Sequence, residues 1–123
     1  MAFDEDLQKI VTQILTRSIT RKMGLNVTFE TTNEENSFFR ELVKQTIEAK
    51  LNPQLYYFEP MSNKSFSVYY QSYYIGKIKL RGREQHIQIL GVRGAIHVFS
   101  ISSERDYQEY LSKWIKYIKY CLK

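Results

Sequence analysis

Two glycine-containing turns, at residues 81–84 and 91–94, divide residues 74–101 into three segments in which apolar and polar side chains alternate. Alternation with a period of two is typical of a strand with one buried face. A glycine between two such segments supplies the backbone freedom that a tight hairpin needs. Together with strand candidates at 66–71 and 55–58, these segments predict a four- to five-stranded antiparallel β-meander.

The turns also predict the register of the strands. A two-residue loop at 82–83 places Ile78 opposite Ile87. A two-residue loop at 92–93 then places Ile87 opposite Val98. One face of the sheet is apolar in this register and carries Tyr74, Ile78, Leu80, Ile87, Ile89, Ile96 and Val98. The other face is mainly basic and polar and carries Lys77, Lys79, Arg81, His86, Gln88 and His97, together with Ile75, Leu90 and Phe99.

Helical spacing of apolar residues predicts two helices before the meander. The first covers about residues 4–22, with acids in its first turn, bases in its last turn and Gly24 as its C-terminal cap. The second begins within 32–35 and is stopped by Asn52-Pro53. Between them, alternation at 26–31 predicts a short strand.

A third helix follows the meander. It is predicted to begin at Ser102 or Ser103, because Ser103 and Asp106 have the spacing of a capping box. Its apolar face consists of Tyr107, Tyr110, Leu111, Trp114, Ile118 and Leu122. This amphipathic helix is expected to pack on the apolar side of the sheet.

These elements predict a single α+β domain over residues 1–123, which is an ordinary length for one domain. Residues 1–53 are mainly helical, and residues 64–123 form a basic meander followed by the C-terminal helix. The expected architecture is two N-terminal helices, a four- to five-stranded antiparallel sheet, and the C-terminal helix packed on that sheet.

Charge is distributed unevenly along the chain, whose formal net charge is +5. Residues 1–36 contain six acidic and four basic residues, whereas residues 64–123 contain eleven basic and four acidic residues. An excess of positive charge in one part of a chain indicates an anionic partner for that part. The alternative is a solvated face that keeps the protein in solution.

The basic residues of the second half predict a nucleic-acid surface. Lys77, Lys79 and Arg81 alternate along one strand, about 6.5–7 Å apart, so each could meet a successive phosphate of one strand. Basic residues interleaved with aromatic ones are typical of such surfaces. The full predicted set is Lys77, Lys79, Arg81, Arg83, Arg93, Lys113, Lys116 and Lys119, with Tyr69, Tyr70 and Tyr73 as stacking residues.

Residues for catalysis or metal binding do not form a recognisable set. The two histidines, His86 and His97, are diagonal neighbours on one face in the predicted register, but no acid lies beside them to complete a metal site. Cys121 is typical of a packing residue rather than a nucleophile. The sequence has no glycine-rich phosphate loop, paired cysteines or nucleophile elbow. It therefore predicts a non-enzymatic protein with no cofactor and no bound metal.

The sequence also predicts a cytoplasmic protein. Cys121 is the single cysteine, so no intrachain disulfide can form, which fits a reducing compartment. The first residues are acidic where a secretory signal is basic, and no apolar run approaches the length that a membrane span requires. No membrane partner is expected.

The leading functional interpretation is a small binding protein that contacts nucleic acid, or a nucleic-acid-bound protein, through the basic sheet face. The alternative is a phage- or plasmid-type accessory protein that inhibits or bridges a host protein, since tyrosine and arginine are favoured in protein–protein contacts. A homodimer is also compatible with the sequence, because Phe3, Leu7, Ile10 and Ile14 have the spacing of a helical seam.

Overall fold

The computed structural model describes residues 4–24 and 30–123. It confirms the predicted α+β architecture, with helices before and after a five-stranded antiparallel sheet in the order β1-β2-β3-β4-β5. The predicted strand at 26–31 falls mostly on residues outside the described ranges. The elements are α1 (Asp4–Met23), α2 (Asn33–Glu48), β1 (Tyr56–Pro60), β2 (Phe66–Tyr70), β3 (Tyr73–Lys79), β4 (His86–Leu90), β5 (Ile96–Ser100) and α3 (Asp106–Cys121), with single 3₁₀ turns at Pro53–Leu55 and Val92–Gly94.

The three helices lie on one side of the sheet. Helix α1 packs on β1, α3 packs on β3 and β4, and α2 lies between α1 and α3. The aromatic part of the core joins these layers: the Phe39 ring on α2 stacks on Phe58 of β1 at 4.3 Å, and Phe38 meets Trp114 of α3 edge to face at 5.5 Å. In the described part of the chain, no helix covers the opposite side of the sheet. That side is called the outer face below.

Helix α2 begins where the sequence predicts, within 32–35, and a capping box forms its first turn. The Thr32 hydroxyl accepts the Glu35 N–H at 3.1 Å, and the Glu35 carboxylate accepts the Thr32 N–H at 2.9 Å. Helix α3 begins at Asp106, which is later than predicted. The Asp106 carboxylate accepts the N–H groups of Ser102 and Ser103 at 3.1 and 3.4 Å, and these bonds hold the pKa of Asp106 below its usual value.

The predicted register is correct between β3 and β4, where Ile78 pairs with Ile87 and Gly76 with Ile89. It is wrong along the first half of β3, because a bulge interrupts the β2–β3 pairing. Val68 pairs with Gly76, but Tyr69 pairs with Tyr74, so Ile75 is the extra residue. The bulge reverses the alternation. Ile75 is therefore buried in the core and Tyr74 lies on the outer face, the opposite of the prediction for both.

The predicted register is also wrong between β4 and β5, where Ile87 pairs with Phe99 rather than Val98. The connection is longer than two residues: the Gly91 N–H donates to Ala95 O at 2.8 Å, and Arg93 adopts a left-handed conformation with φ of 63°. A slip of one residue turns every side chain of a strand to the other face. Ile96 and Val98, predicted in the core, therefore lie on the outer face, and His97 and Phe99, predicted on the basic face, lie on the helix side.

Burial of Tyr107 predicts a measurable pH dependence of stability. The ring packs edge to face on Phe38 at 5.3 Å, and burial, reinforced by the charges of Glu104 and Glu34, raises the pKa of Tyr107 from 10.0 to about 12. A raised pKa in the folded state means that the neutral hydroxyl contributes stability below pH 10.0, and that this contribution is lost as the pH rises toward about 12. The expected result is that Tyr107→Phe loses less stability than the unmodified chain when urea unfolding at pH 9 is compared with pH 11. Equal losses in the two proteins would contradict it.

Candidate nucleic-acid interface

The outer face of the sheet, which no helix in the described ranges covers, is built by all five strands. Strand pairing puts the outward side chains of neighbouring strands side by side, and those nearest the centre form a row across the sheet from Glu59 through Ser67, Lys77 and Gln88 to Val98. The full outer face carries Tyr57, Glu59, Ser67, Tyr69, Tyr74, Lys77, Lys79, His86, Gln88, Leu90, Ile96, Val98 and Ser100.

Three tyrosine rings lie next to one another on this face. The ring of Tyr57 on β1 is 5.8 Å from that of Tyr69 on β2, and Tyr69 is 5.3 Å from Tyr74 on β3. All three are half-buried. The bulge at Ile75 is what places Tyr74 in this row, because without it Tyr74 would point into the core. We call Tyr57, Tyr69 and Tyr74 the tyrosine row.

A hydrogen bond orients Tyr74, and raised pKa values keep the hydroxyls of Tyr57 and Tyr74 neutral. The Tyr74 hydroxyl donates to Gln88 Oε1 at 3.4 Å. Burial is the main cause that raises the pKa of both Tyr57 and Tyr74 above the ordinary tyrosine value, with the Glu59 carboxylate as the next cause at Tyr57. A tyrosine hydroxyl is neutral at pH 7 with its ordinary pKa of 10.0, and these upward shifts extend the neutral form to higher pH, so neither ring presents a negative charge to a phosphate.

Positive groups surround the tyrosine row. The Arg21 guanidinium lies 5.0 Å from the centre of the Tyr57 ring. Lys77 and Lys79 follow Tyr74 along β3, on the same face and half-buried. The Glu59 carboxylate is on this face as well, but it is paired with Lys22 at 3.4 Å. The balance of the surface is therefore positive.

Arg81 does not belong to this surface, which corrects its predicted role. Its Nε and Nη2 atoms donate to the two carboxylate oxygens of Glu35 at 3.1 and 3.0 Å, and Nη2 also donates to Glu30 O at 2.7 Å. The Glu35 side chain is only 3% exposed. This ion pair ties the start of α2 to the end of β3, so Arg81 has a structural role.

The structure distributes the other predicted contact residues over several surfaces. Tyr70 is 2% exposed and its hydroxyl accepts the Asn52 N–H at 3.1 Å, so its ring is not available for stacking. Tyr73 is exposed at the start of β3. Arg83 and Arg93 are exposed in turns at opposite ends of the sheet.

The basic residues of α3 lie on the helix side of the sheet. Lys113 places its Nζ atom 4.9 Å from the centre of the Phe99 ring, and Lys116 and Lys119 are exposed on the same helix. They cannot join Lys77 and Lys79 in one flat surface. The structure thus distributes the predicted basic residues over the outer face, the Glu35 ion pair, the turns and α3.

The two histidines are separated by the slip in the β5 register. His86 is on the outer face beside Lys79, whereas His97 is on the helix side, so the expectation that they are diagonal neighbours on one face is wrong. Among residues 4–24 and 30–123, no group of three or more His, Cys, Asp or Glu side chains could hold a metal ion.

Three members of the surface, Tyr57, Tyr74 and Arg21, were not predicted from the sequence. A signal for Tyr57 was present, because it alternates with the apolar Tyr56 and Phe58 and so points away from the core. The signal for Tyr74 is weaker: Gly76 inside a strand indicates a bulge but does not locate it. Arg21 lies on α1, 36 positions before Tyr57, and no local pattern connects them.

No protein-family model matches the chain, and neither the curated proteins nor the solved structures include a match. In the part of the chain that the structure describes, none of the helices has the length and apolar character needed to span a membrane.

Proposed function

We propose that this protein is a non-enzymatic binding protein that holds single-stranded nucleic acid on the outer face of its sheet. The observation that carries this proposal is the tyrosine row, with Lys77 and Lys79 beside it, on a face that no helix in the described part of the chain covers. Aromatic rings next to cations on an open groove or sheet are the usual means of binding single strands.

Each part of the surface has a chemical task in this proposal. Unpaired bases stack on the tyrosine rings, since every base has an aromatic face. The sugar–phosphate backbone runs along β3, where Lys77 and Lys79 each meet a phosphate. Paired bases in a duplex offer no free face for stacking, so single strands bind more tightly. Sequence preference is weak, because phosphate and stacking contacts do not read base edges.

Affinity for a labelled single strand should fall steeply with salt. The probe is a fluorescent single-stranded DNA of about 16 nucleotides, with a duplex of equal length as the comparison, measured by anisotropy. Lys77, Lys79 and Arg21 supply the phosphate contacts, and each is expected to contribute about 0.7 to the slope of log affinity against log salt. Raising the salt from about 50 to about 200 mM should therefore weaken binding roughly tenfold to twentyfold.

Matched variants test whether the outer face is the site. Lys77→Gln with Lys79→Gln should reduce the salt slope by about 1.4, whereas Lys113→Gln with Lys116→Gln, an equal loss of charge on α3, should leave it unchanged. Tyr69→Ala should weaken binding by about 1–3 kcal/mol, and Tyr69→Phe, which keeps the ring, should bind nearly as well as the unmodified chain.

Two results would contradict the proposal. If both lysine double variants weaken binding equally, the attraction is diffuse and the outer face is not the site. If no single strand binds even at low salt, the nucleic-acid function is wrong. The alternative of an accessory protein that acts on a host protein then becomes the leading one.

A further inference from the structure

The two edge strands of the sheet, β1 and β5, differ in how many of their outward backbone groups have hydrogen-bond partners. At the β1 edge, the Phe58 N–H donates to Ser18 Oγ at 3.0 Å, and Arg17 Nη2 donates to Tyr56 O at 3.0 Å. Helix α1 thus supplies partners for two outward backbone groups of β1, the Phe58 N–H and the Tyr56 carbonyl. At the β5 edge, the Tyr110 hydroxyl of α3 donates to Ser100 O at 3.4 Å, which leaves that carbonyl a second lone pair, and no described side chain hydrogen-bonds the outward backbone groups of Ile96 and Val98.

The register identifies which backbone groups of β5 face outward. The Gly91 N–H donates to Ala95 O and the Ile101 N–H donates to Gln85 O, so Ala95 and Ile101 face β4. Residues of an antiparallel strand alternate between facing one neighbour and facing the other. Ile96, Val98 and Ser100 therefore direct their N–H and C=O groups away from the sheet.

The side chains of this edge are apolar and exposed. Ile96 is 62% exposed and Val98 is 64% exposed, more than any other large apolar side chain of the described residues. Free edges are normally protected by charged residues, proline or a bulge. The segment 95–103, Ala-Ile-His-Val-Phe-Ser-Ile-Ser-Ser, has no Lys, Arg, Asp, Glu or Pro, and the β4–β5 pairing is regular. Such an edge is suited to pairing with another strand.

We propose that β5 pairs in antiparallel orientation with β5 of a second copy of this chain, about a two-fold axis at Val98. In the register centred on Val98, all three outward-facing residues pair with one another: Val98 with Val98 of the second copy, and Ile96 with its Ser100. Moving the axis to Phe99 leaves Ile96 without an outward-facing partner. The Val98 register therefore satisfies the edge most completely.

The charges that flank β5 favour a second copy as the partner. Arg93 precedes Val98 by five positions and Glu104 follows it by six, with no other charged residue between them. In an antiparallel pair, the start of one strand lies beside the end of the other, so Arg93 of each copy comes next to Glu104 of the other copy. Lys77 and Lys79 are two strands away from the seam, so their like charges do not meet there.

The α1 seam suggested by the sequence is not the contact that we infer. Leu7 and Ile14, two of the four residues of that apolar spacing, are buried in the core of the single chain. A seam through them would require the chain to open, whereas the β5 edge needs no rearrangement.

Sedimentation equilibrium of the full chain without nucleic acid, over about 1–200 μM, tests the pairing independently of the proposed nucleic-acid function. The expected result is a monomer–dimer equilibrium within this range. Val98→Lys places like charges directly opposite each other, and should weaken the dimer about tenfold or more. Met23→Lys, the same change at an exposed apolar residue at the end of α1, should not alter it. Because Val98 is exposed, the far-ultraviolet circular dichroism of Val98→Lys should match that of the unmodified chain.

A charge exchange tests the register. Arg93→Glu and Glu104→Arg should each weaken the dimer roughly fivefold, because each replaces two attractive contacts by two repulsive ones. The double variant should restore the original affinity. A chain that stays monomeric at every concentration, or a dimer that Val98→Lys leaves intact, overturns the proposed pairing. Failure of the double variant to restore affinity overturns the register centred on Val98.

Discussion

Gly76→Ala is expected to lower the free energy of unfolding by about 3 to 5 kcal/mol, measured by urea titration. A Cβ atom at this position would overlap the carbonyl oxygen of Gln88 and lie 2.9 Å from Trp114 Nε1. The Trp114 N–H donates to this same carbonyl at 3.0 Å, so the clash would also disturb the buried indole. Because the obstacle is backbone, a side-chain rotation cannot relieve it.

Gly82→Ala is the matched control. Gly82 also has a positive φ, +85°, but a Cβ atom there would meet nothing within 4 Å. Gly82→Ala should lower the free energy of unfolding by only about 1 kcal/mol, which is the conformational penalty of a positive φ without the clash. If the two variants lose equal stability, close approach of the strand to Trp114 is not what requires glycine at position 76.

Arg81→Met is expected to lower the free energy of unfolding by about 2 to 4 kcal/mol. The Glu35 carboxylate is almost completely buried and would lose its charged partner, and breaking such a pair on one side is more costly than removing the pair. The expected loss of stability is smaller than for a fully buried pair because the Arg81 side chain is 27% exposed. Urea titration measures the loss.

Two comparisons separate the ion pair from a general effect of charge. Arg83→Met removes the same charge from an exposed site in the same turn, and should change stability by less than about 0.5 kcal/mol. Combining Glu35→Gln with Arg81→Met should recover roughly half of the loss, because the buried charge is gone while the oxygen that caps α2 remains. Folded Arg81→Met should bind single strands as well as the unmodified chain. Weaker binding would indicate that Arg81 is part of the interface.

Helices and the β3–β4 hairpin could be predicted because their signals are local. Helical spacing, the helix start at 32–35 and the stop at Asn52-Pro53 predict α1 and α2 to within a few residues. Gly82 predicts the β3–β4 register, since the alternation on both sides of it agrees with a two-residue loop.

The β5 register could not be predicted in this way, because Arg93 adopts a left-handed conformation that the sequence does not signal for an arginine. Alternation alone favoured placing Ile96 and Val98 inside, but α3 packs mainly on β3 and β4 and contacts β5 at Phe99, which the observed register turns to the helix side. The apolar side chains of this strand therefore do not indicate burial in the single chain.

The candidate site was predicted in part. Lys77, Lys79 and Tyr69 were predicted as contact residues, and the structure brings them together on one face. Arg81 follows the same alternation, but its side chain is bound by Glu35, which is 46 positions away in sequence, and so does not lie on the outer face. Pairings over such separations depend on how helices pack, and no periodicity in one strand indicates them.

The hydroxyl of Ser18 has a consequence for the size of any assembly built through β5. Together with Arg17 it occupies the Phe58 N–H and the Tyr56 carbonyl of β1, and Pro60 has no N–H to donate, so a further strand cannot pair regularly at this edge. Two chains joined at β5 present a covered β1 edge at each end, and a third chain finds no strand to continue. Pairing of this kind closes on itself as an isologous dimer and does not propagate into a filament.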